Sequence, residues 1–216
     1  MQCRLCHYEN LLEFLNLGEQ PLANKYPNEN EFATEDFFPV KVFFCPTCKS
    51  VQLGTAISRE RMFEDYFYLS SVNTGLVTQY EALAQTLSDA KFVVDIGSND
   101  GISLKPLKRM GIKAIGVEPS INVSKIANDA GLTTITAFFD APTVQKIITE
   151  YGKPDVITGL SMFSHLGDPH DFIGNVKELL TDDGRFILEI EYVDTLLKSM
   201  SFERFYLDRI SYYSVT

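Results

Sequence analysis

Three sets of residues in this chain have the types and spacing that chemistry needs. The first is Cys3-x-x-Cys6 with Cys45-x-x-Cys48, which together use all 4 cysteines. Two close thiolate pairs joined by a loop make a closed, tetrahedral zinc site of the structural kind. Two disulfides are the bland alternative. The N-terminus lacks a charged and then apolar signal pattern, so a reducing compartment is expected and zinc is the better reading. A redox role fits less well, because neither pair opens a helix in a βαβ unit. His7, beside Cys6, reads as a surface histidine rather than a substitute ligand.

The second set lies in Phe92-Val-Val-Asp-Ile-Gly-Ser-Asn-Asp-Gly101. Apolar residues flank Asp95, and Gly97 and Gly101 then enclose Ser98, Asn99 and Asp100, as in a buried parallel strand that enters a tight turn. A dinucleotide fingerprint has a glycine where Asn99 stands, so that the backbone can approach a pyrophosphate. No Gly-Lys-Ser/Thr ending follows, which argues against a triphosphate cradle. The next strand ends in Glu118, and a carboxylate at that tip suits the two hydroxyls of a ribose. A glycine turn without a phosphate signature, followed by this acid, points to a nucleoside-like cofactor without phosphate, of which S-adenosylmethionine is the commonest.

The third set follows the later strands. His165 stands in Leu160-Ser-Met-Phe-Ser-His-Leu-Gly-Asp168, at the carboxyl end of a central strand, where an imidazole could exchange a proton near pH 7. A lone histidine is often a satisfied structural residue, and both readings stand. His170, after Pro169, reads only as near a helix start. Phe139 and Asp140 lie just past the third strand, where a cofactor adenine would sit. Phe139 could pack on the ring and Asp140 accept from its amino group; two core phenylalanines and a helix cap are the equal alternative.

The elements that must position these residues come from pattern. Strands are expected at about residues 92–96, 114–117, 133–136, 156–159 and 185–190, with helices between them. These make five parallel strands in a doubly wound, Rossmann-like α/β sheet whose ligands bind outside the strand carboxyl ends. A helix is expected to start near Asp100, and another over residues 73–87. Ahead of them, residues 11–17 are apolar, 18–27 are turn-rich and 37–44 read as a strand leading into the second cysteine pair. The chain divides into a zinc-binding module over 1–56, an aromatic connector and helix over 57–90, and a cofactor-binding domain over 91–216.

Composition narrows the classes. A chain of 216 residues with 45% hydrophobic and 22% charged residues is ordinary for a globular protein. No apolar run is long enough to span a membrane, and the cytoplasm is the default expectation. The net charge of -10, without a basic stripe, argues against a nucleic-acid partner but not against a small anionic substrate held by one or two local cations.

Asp95-Ile-Gly-Ser-Asn-Asp-Gly101 with Gly116-Val-Glu-Pro-Ser120 resembles the cofactor site of S-adenosylmethionine-dependent sugar C-methyltransferases. Leu17-Gly-Glu-Gln-Pro-Leu-Ala-Asn24 and Cys45-Pro-Thr-Cys48 followed by Val51-Gln-Leu53 match that family too, so the likeness runs along the whole chain. The resemblance implies a class I methyltransferase sheet behind a zinc module, with Asp95, Gly97, Ser98, Asn99, Gly101, Glu118 and Pro119 at the cofactor. It implies that Tyr66, Tyr68, Ser70 and Ser71 line the active site, with Tyr68 the substrate-side phenol, and that His165 is catalytic. Ser161, with Leu160, stands where the family has two asparagines near the methionine part of the cofactor.

Two departures from the family qualify this. In Phe202-Glu-Arg-Phe-Tyr-Leu-Asp-Arg-Ile-Ser-Tyr-Tyr-Ser214 the family's Tyr-His-Glu-His becomes Tyr206, Leu207, Asp208 and Arg209. Carbon methylation beside a keto group needs a base, and an arginine cannot serve as one. His165, Tyr206 or Asp208 would then take over, the acceptor atom would be oxygen or nitrogen with Arg209 binding a phosphate or carboxylate, or activity is lost. The family also continues for roughly another domain, so the chain is expected to be a fragment, a split gene product that needs a second polypeptide, or a minimal form covered by self-association, with residues 186–190 at or near an open sheet edge. The leading expectation is methyl transfer to a nucleotide-linked deoxy or keto sugar. Its rivals are a catalytically impaired cofactor- and zinc-binding half-protein and a zinc-ribbon methyltransferase acting on RNA.

Overall fold

A computed structural model describes residues 1–63 and 66–215; Glu64 and Asp65 of the aromatic connector, and Thr216, lie outside the described residues. In chain order the first elements are β1 (Leu12–Pro21), β2 (Phe37–Phe44), β3 (Val51–Leu53), α1 (Arg59–Phe63) and α2 (Thr74–Thr86). Next come β4 (Phe92–Ile96), α3 (Leu104–Arg109), β5 (Lys113–Val117), α4 (Ile121–Asp129), β6 (Thr134–Ile135), α5 (Ala141–Tyr151) and β7 (Val156–Leu160). The chain closes with α6 (Pro169–Leu179), β8 (Arg185–Glu189), α7 (Val193–Lys198) and β9 (Ser211–Tyr212).

These elements form two compact units that cut the chain differently from the three sequence segments. One takes Phe63–Met162 and Asp171–Glu189. Its sheet is parallel, in the order β6-β5-β4-β7-β8. Strand order reverses at β4, so the crevice at its carboxyl end is where such a sheet binds ligands. Every residue of β4 and β7 is buried, which is why both read as largely apolar runs, interrupted by Asp95 and Thr158. Val93 and Val156 pack with Ala84, Leu87 and Leu107 in one core cluster. The five expected strands are present, with β6 shorter than expected and β8 at the edge of the sheet.

The helix expected near Asp100 starts later, at Leu104. Asn99 and Gly101, with φ of 48° and 78°, hold the turn open that far. Helix α2 begins where Asn73 accepts from the Leu76 amide, one residue inside the expected range.

The other unit joins Met1–Met62 to Phe163–His170 and Ile190–Thr216. Its sheet is antiparallel, in the order β1-β2-β3-β9, so the Ser211-Tyr212 pair of the tail completes a sheet begun by the N-terminus. Strand β1 runs through residues 18–21, which the sequence marks as turn-rich. A register shift between Asn16 and Glu19, with Gly18 at φ 73°, absorbs the glycine as a bulge in an edge strand. Among the described residues, no helix is long and apolar enough to cross a membrane.

Candidate functional site

The four cysteine sulfurs lie within 4.8 Å of one another. Cys3 and Cys48 are 3.5 Å apart, as are Cys6 and Cys45, and all four are free thiols. An S–S bond needs ~2.0 Å, whereas sulfurs held ~2.3 Å from a tetrahedral zinc stand ~3.8 Å apart. The donor set and its spacing therefore fit a zinc ion. Burial opposes ionisation of Cys3, but hydrogen bonds from Ser50 and from the Cys6 and Leu5 backbone hold its thiol down to about 6. His7 stays outside this cluster, its ring 5.6 Å from that of His170. His170 itself meets the Leu5 carbonyl through Nε2 at 2.7 Å.

In the parallel-sheet unit the glycine turn is a closed hydrogen-bonded device. The Gly97 and Ser98 amides donate to the Val117 carbonyl, at 2.8 and 3.3 Å, and Gly101 donates to the Ser98 carbonyl at 3.0 Å. The Asn99 amide donates to Glu118 Oε2 at 2.9 Å. With these N–H groups spent inside the turn, few remain to cradle a phosphate, which agrees with the missing phosphate fingerprint.

Glu118 is 5% exposed, and its Oε1 also accepts from the Ser120 amide and hydroxyl, at 2.9 and 2.6 Å. Burial raises its pKa against the pull of these donors. A carboxylate offers about four acceptor positions, and three are used here. The residues thus fit a nucleoside hydroxyl better than a pyrophosphate. Pro119 sits between Glu118 and its Ser120 partner.

Asp95 lies deeper. It accepts from the Ser103 hydroxyl and from Thr158 Oγ1, the latter at 2.6 Å, and burial raises its pKa to about 6. Asp95 thus ties β4 to β7 and to the approach of α3. The Ser98 side chain fills the space that Gly116 leaves, where a Cβ would meet its Oγ at 2.2 Å.

The remaining candidates of this unit are placed as follows. Asp140 caps α5 by accepting from the Thr143 amide at 3.1 Å, and Phe139 stands 5.2 Å from Phe172. The cap and the packed phenylalanine of the bland alternative are thus both present. Ser161, at φ 59°, donates its hydroxyl to Glu189 Oε1 at 2.6 Å. Gln79 also donates to Glu189, a carboxylate at the carboxyl end of β8 that sequence reasoning passed over. Tyr68 is 37% exposed, and its carbonyl accepts from Asn99 Nδ2 at 3.0 Å.

In the antiparallel unit the structure brings His165, Tyr206, Asp208 and Arg209 into two linked contacts. His165 Nδ1 meets the Asp208 carbonyl. A carbonyl can only accept, so the proton sits on Nδ1 and Nε2 is the basic nitrogen of the neutral ring. The Asp208 carboxylate is 3% exposed and its Oδ2 accepts from Asn24 Nδ2 at 2.9 Å. Arg209 pairs with Glu191 and lies 5.5 Å from the centre of the Tyr206 ring. Glu191 also accepts from Arg204 Nε at 2.7 Å. Asn24 and Glu191 were not singled out as site residues; Asn24 closes the Leu-Gly-x-x-Pro-Leu-Ala-Asn text and Glu191 follows the last parallel strand, which were the available signals.

Two family models match the chain. A family model described as "Putative zinc binding domain" matches residues 3–63, and one described as a methyltransferase domain matches residues 68–216, well over half of the chain. The C-methyltransferase NovU of Streptomyces niveus is 31% identical over 221 residues, covering 99% of this chain and 53% of that protein. A mitochondrial ubiquinone biosynthesis O-methyltransferase of Arabidopsis thaliana is 27% identical over 108 residues, covering 49% of this chain and 33% of that protein. The chain thus spans about half the length, or less, of these relatives. Among solved structures, a SAM-dependent methyltransferase from Archaeoglobus fulgidus superposes with a TM-score of 0.50 at 16% identity, over 61% of this chain and 58% of that one. That likeness concerns the fold.

Proposed function

This chain belongs to the methyltransferase-domain family, and from that premise we propose that it binds S-adenosylmethionine at the glycine turn and transfers its methyl group to a nucleotide-linked deoxy or keto sugar. The observation that carries the cofactor is Glu118, buried at the tip of β5 and locked to a turn whose amides are largely spent internally. S-adenosylmethionine, when bound, supplies an electrophilic methyl group. Glu118 would hold the ribose with its remaining acceptor position, while Asn99 keeps the carboxylate oriented. Asp140 and Phe139 would flank the base, and Ser161 the methionine end.

The sugar acceptor is supported by the resemblance along the whole chain, and transfer to carbon by the C-methyltransferase relative. Proton removal from the acceptor would fall to Nε2 of His165, the basic nitrogen once the Asp208 carbonyl has fixed the tautomer. Asp208, buried against Asn24, would hold that arrangement within the antiparallel unit, where Tyr206 is a candidate phenol; Tyr68 is the candidate phenol of the parallel-sheet unit. The zinc ion, held by Cys3, Cys6, Cys45 and Cys48, would be structural, since four thiolates leave no open position.

A second reading, methylation at oxygen, is favoured by Arg209, which cannot act as a base. Incubating the chain with S-adenosylmethionine and either nucleotide keto sugars or hydroxyl-bearing acceptors, with mass detection of the product, tests both. A methyl on carbon supports the first reading and a methyl on oxygen the second. Turnover of neither, by a protein that binds the cofactor, would favour the half-protein that works with a partner, and methylated RNA would overturn the small-molecule reading.

A further inference from the structure

The segment 66–71 joins the connector to the glycine turn by bonds that no motif assigns. Asn122, in the first turn of α4, accepts from the Tyr66 amide at 3.3 Å through Oδ1 and donates to the Tyr66 carbonyl at 2.9 Å through Nδ2. Asn99 accepts from the Ser70 amide at 2.8 Å and donates to the Tyr68 carbonyl at 3.0 Å. Ser71 then donates its hydroxyl to Asp100. The backbone groups engaged belong to residues 66, 68 and 70, the last of them opening a 3-10 turn over Ser70–Val72. A carboxamide has the donor and acceptor of a peptide group, so these two side chains can pair with those backbone groups.

Resting on the cofactor and active-site reading above, we propose that Asn99 and Asn122 are positioning residues that dock segment 66–71 on the cofactor turn and thereby set the place of the Tyr68 phenol. Asn99 is the informative one. Its φ of 48° lies in the left-handed region, which asparagine tolerates better than most side chains, and its carboxamide supplies the clamp. Its own amide meanwhile grips Glu118. One residue therefore touches both the carboxylate assigned to the ribose and the strap that carries Tyr68.

The test uses the full chain, which contains no tryptophan, so Tyr68→Trp installs a single fluorophore on the strap. Acrylamide quenching is measured for Tyr68→Trp alone and combined with Asn99→Gly or Asn122→Ala. Calorimetry with S-adenosylhomocysteine is run on Asn99→Gly and Asn122→Ala in the Tyr68 background. Asn99→Gly suits the backbone angle and keeps the amide that binds Glu118, so the turn stays folded.

The expected result is a quenching constant raised roughly threefold in both combinations, as for a side chain freed from a docked segment, with binding of S-adenosylhomocysteine retained in Asn122→Ala. Equal quenching in all three proteins would overturn the proposal, whatever the affinity. Raised quenching in a folded chain that binds no S-adenosylhomocysteine would leave the docking standing and remove the cofactor reading instead.

Discussion

The two candidate binding sites of this chain rest on opposite kinds of support. The glycine turn grows from β4, a strand buried along its whole length between β5 and β7. The cysteines hang from a thin antiparallel sheet whose edge strand leaves Leu12 57% and Phe14 45% exposed. A turn fixed by a close-packed core is preformed before any ligand arrives. The cysteine cluster joins the loops beside β2 and β3, whose inner residues Val40, Val42, Val51 and Leu53 are buried, and metal binding would add its own folding energy to that modest core.

The largest effect should come from removing that metal. Structural zinc binding is worth about 10 kcal/mol or more, so chelation should strip amide-exchange protection from β1, β2 and β3 and leave β4, β5 and β7 protected. Equal loss in both units would break the comparison, and unchanged protection in the first would mean that zinc is not what holds it.

Next in size is the pH response of Asp95. Its folded pKa of about 6 lies above the ordinary value of 3.8 because burial penalises the charge. The folded state therefore holds the proton more tightly, and this contribution is present below pH 4 and is lost as pH rises through 6. The difference is ~3 kcal/mol. Asp95→Asn should flatten urea-measured stability of the parallel-sheet unit across that window; an unchanged slope would mean that another group titrates.

Smaller effects sharpen the contrast at single glycines. Gly101, at φ 78°, would place a Cβ 2.2 Å from Leu132 Cδ1, whereas Gly18, at φ 73°, faces nothing within 4 Å. Gly101→Ala should cost roughly 2 kcal/mol and Gly18→Ala about 1 kcal/mol, the second being backbone strain alone. Equal midpoints in denaturant for the two variants would deny that the turn is the better packed of the pair.

The same contrast explains what could be read from the residue string. The largely apolar runs of β4 and β7 and the local Cys-x-x-Cys spacing are short-range signals, and both elements and motifs lie where they were expected. The Asn24–Asp208 bond spans 184 positions, and the pairing of Val51 and Gln52 with Tyr212 and Ser211 joins the N-terminal module to the tail. Neither leaves a periodic trace, because a two-residue strand has no period. Asp140 shows a different limit. Its text before a proline-bearing helix suits a cap as well as an adenine contact, and the structure contains the cap.

The central claim is that the buried Glu118, tied to the turn through Asn99, holds a nucleoside cofactor. Calorimetric titration of the zinc-loaded chain and of its Glu118→Ala variant with S-adenosylmethionine tests it most directly. One site per chain should bind in the parent, with affinity lowered at least tenfold in the variant, about 1.4 kcal/mol. Equal affinity in both, or no binding by a folded parent, would contradict the assignment.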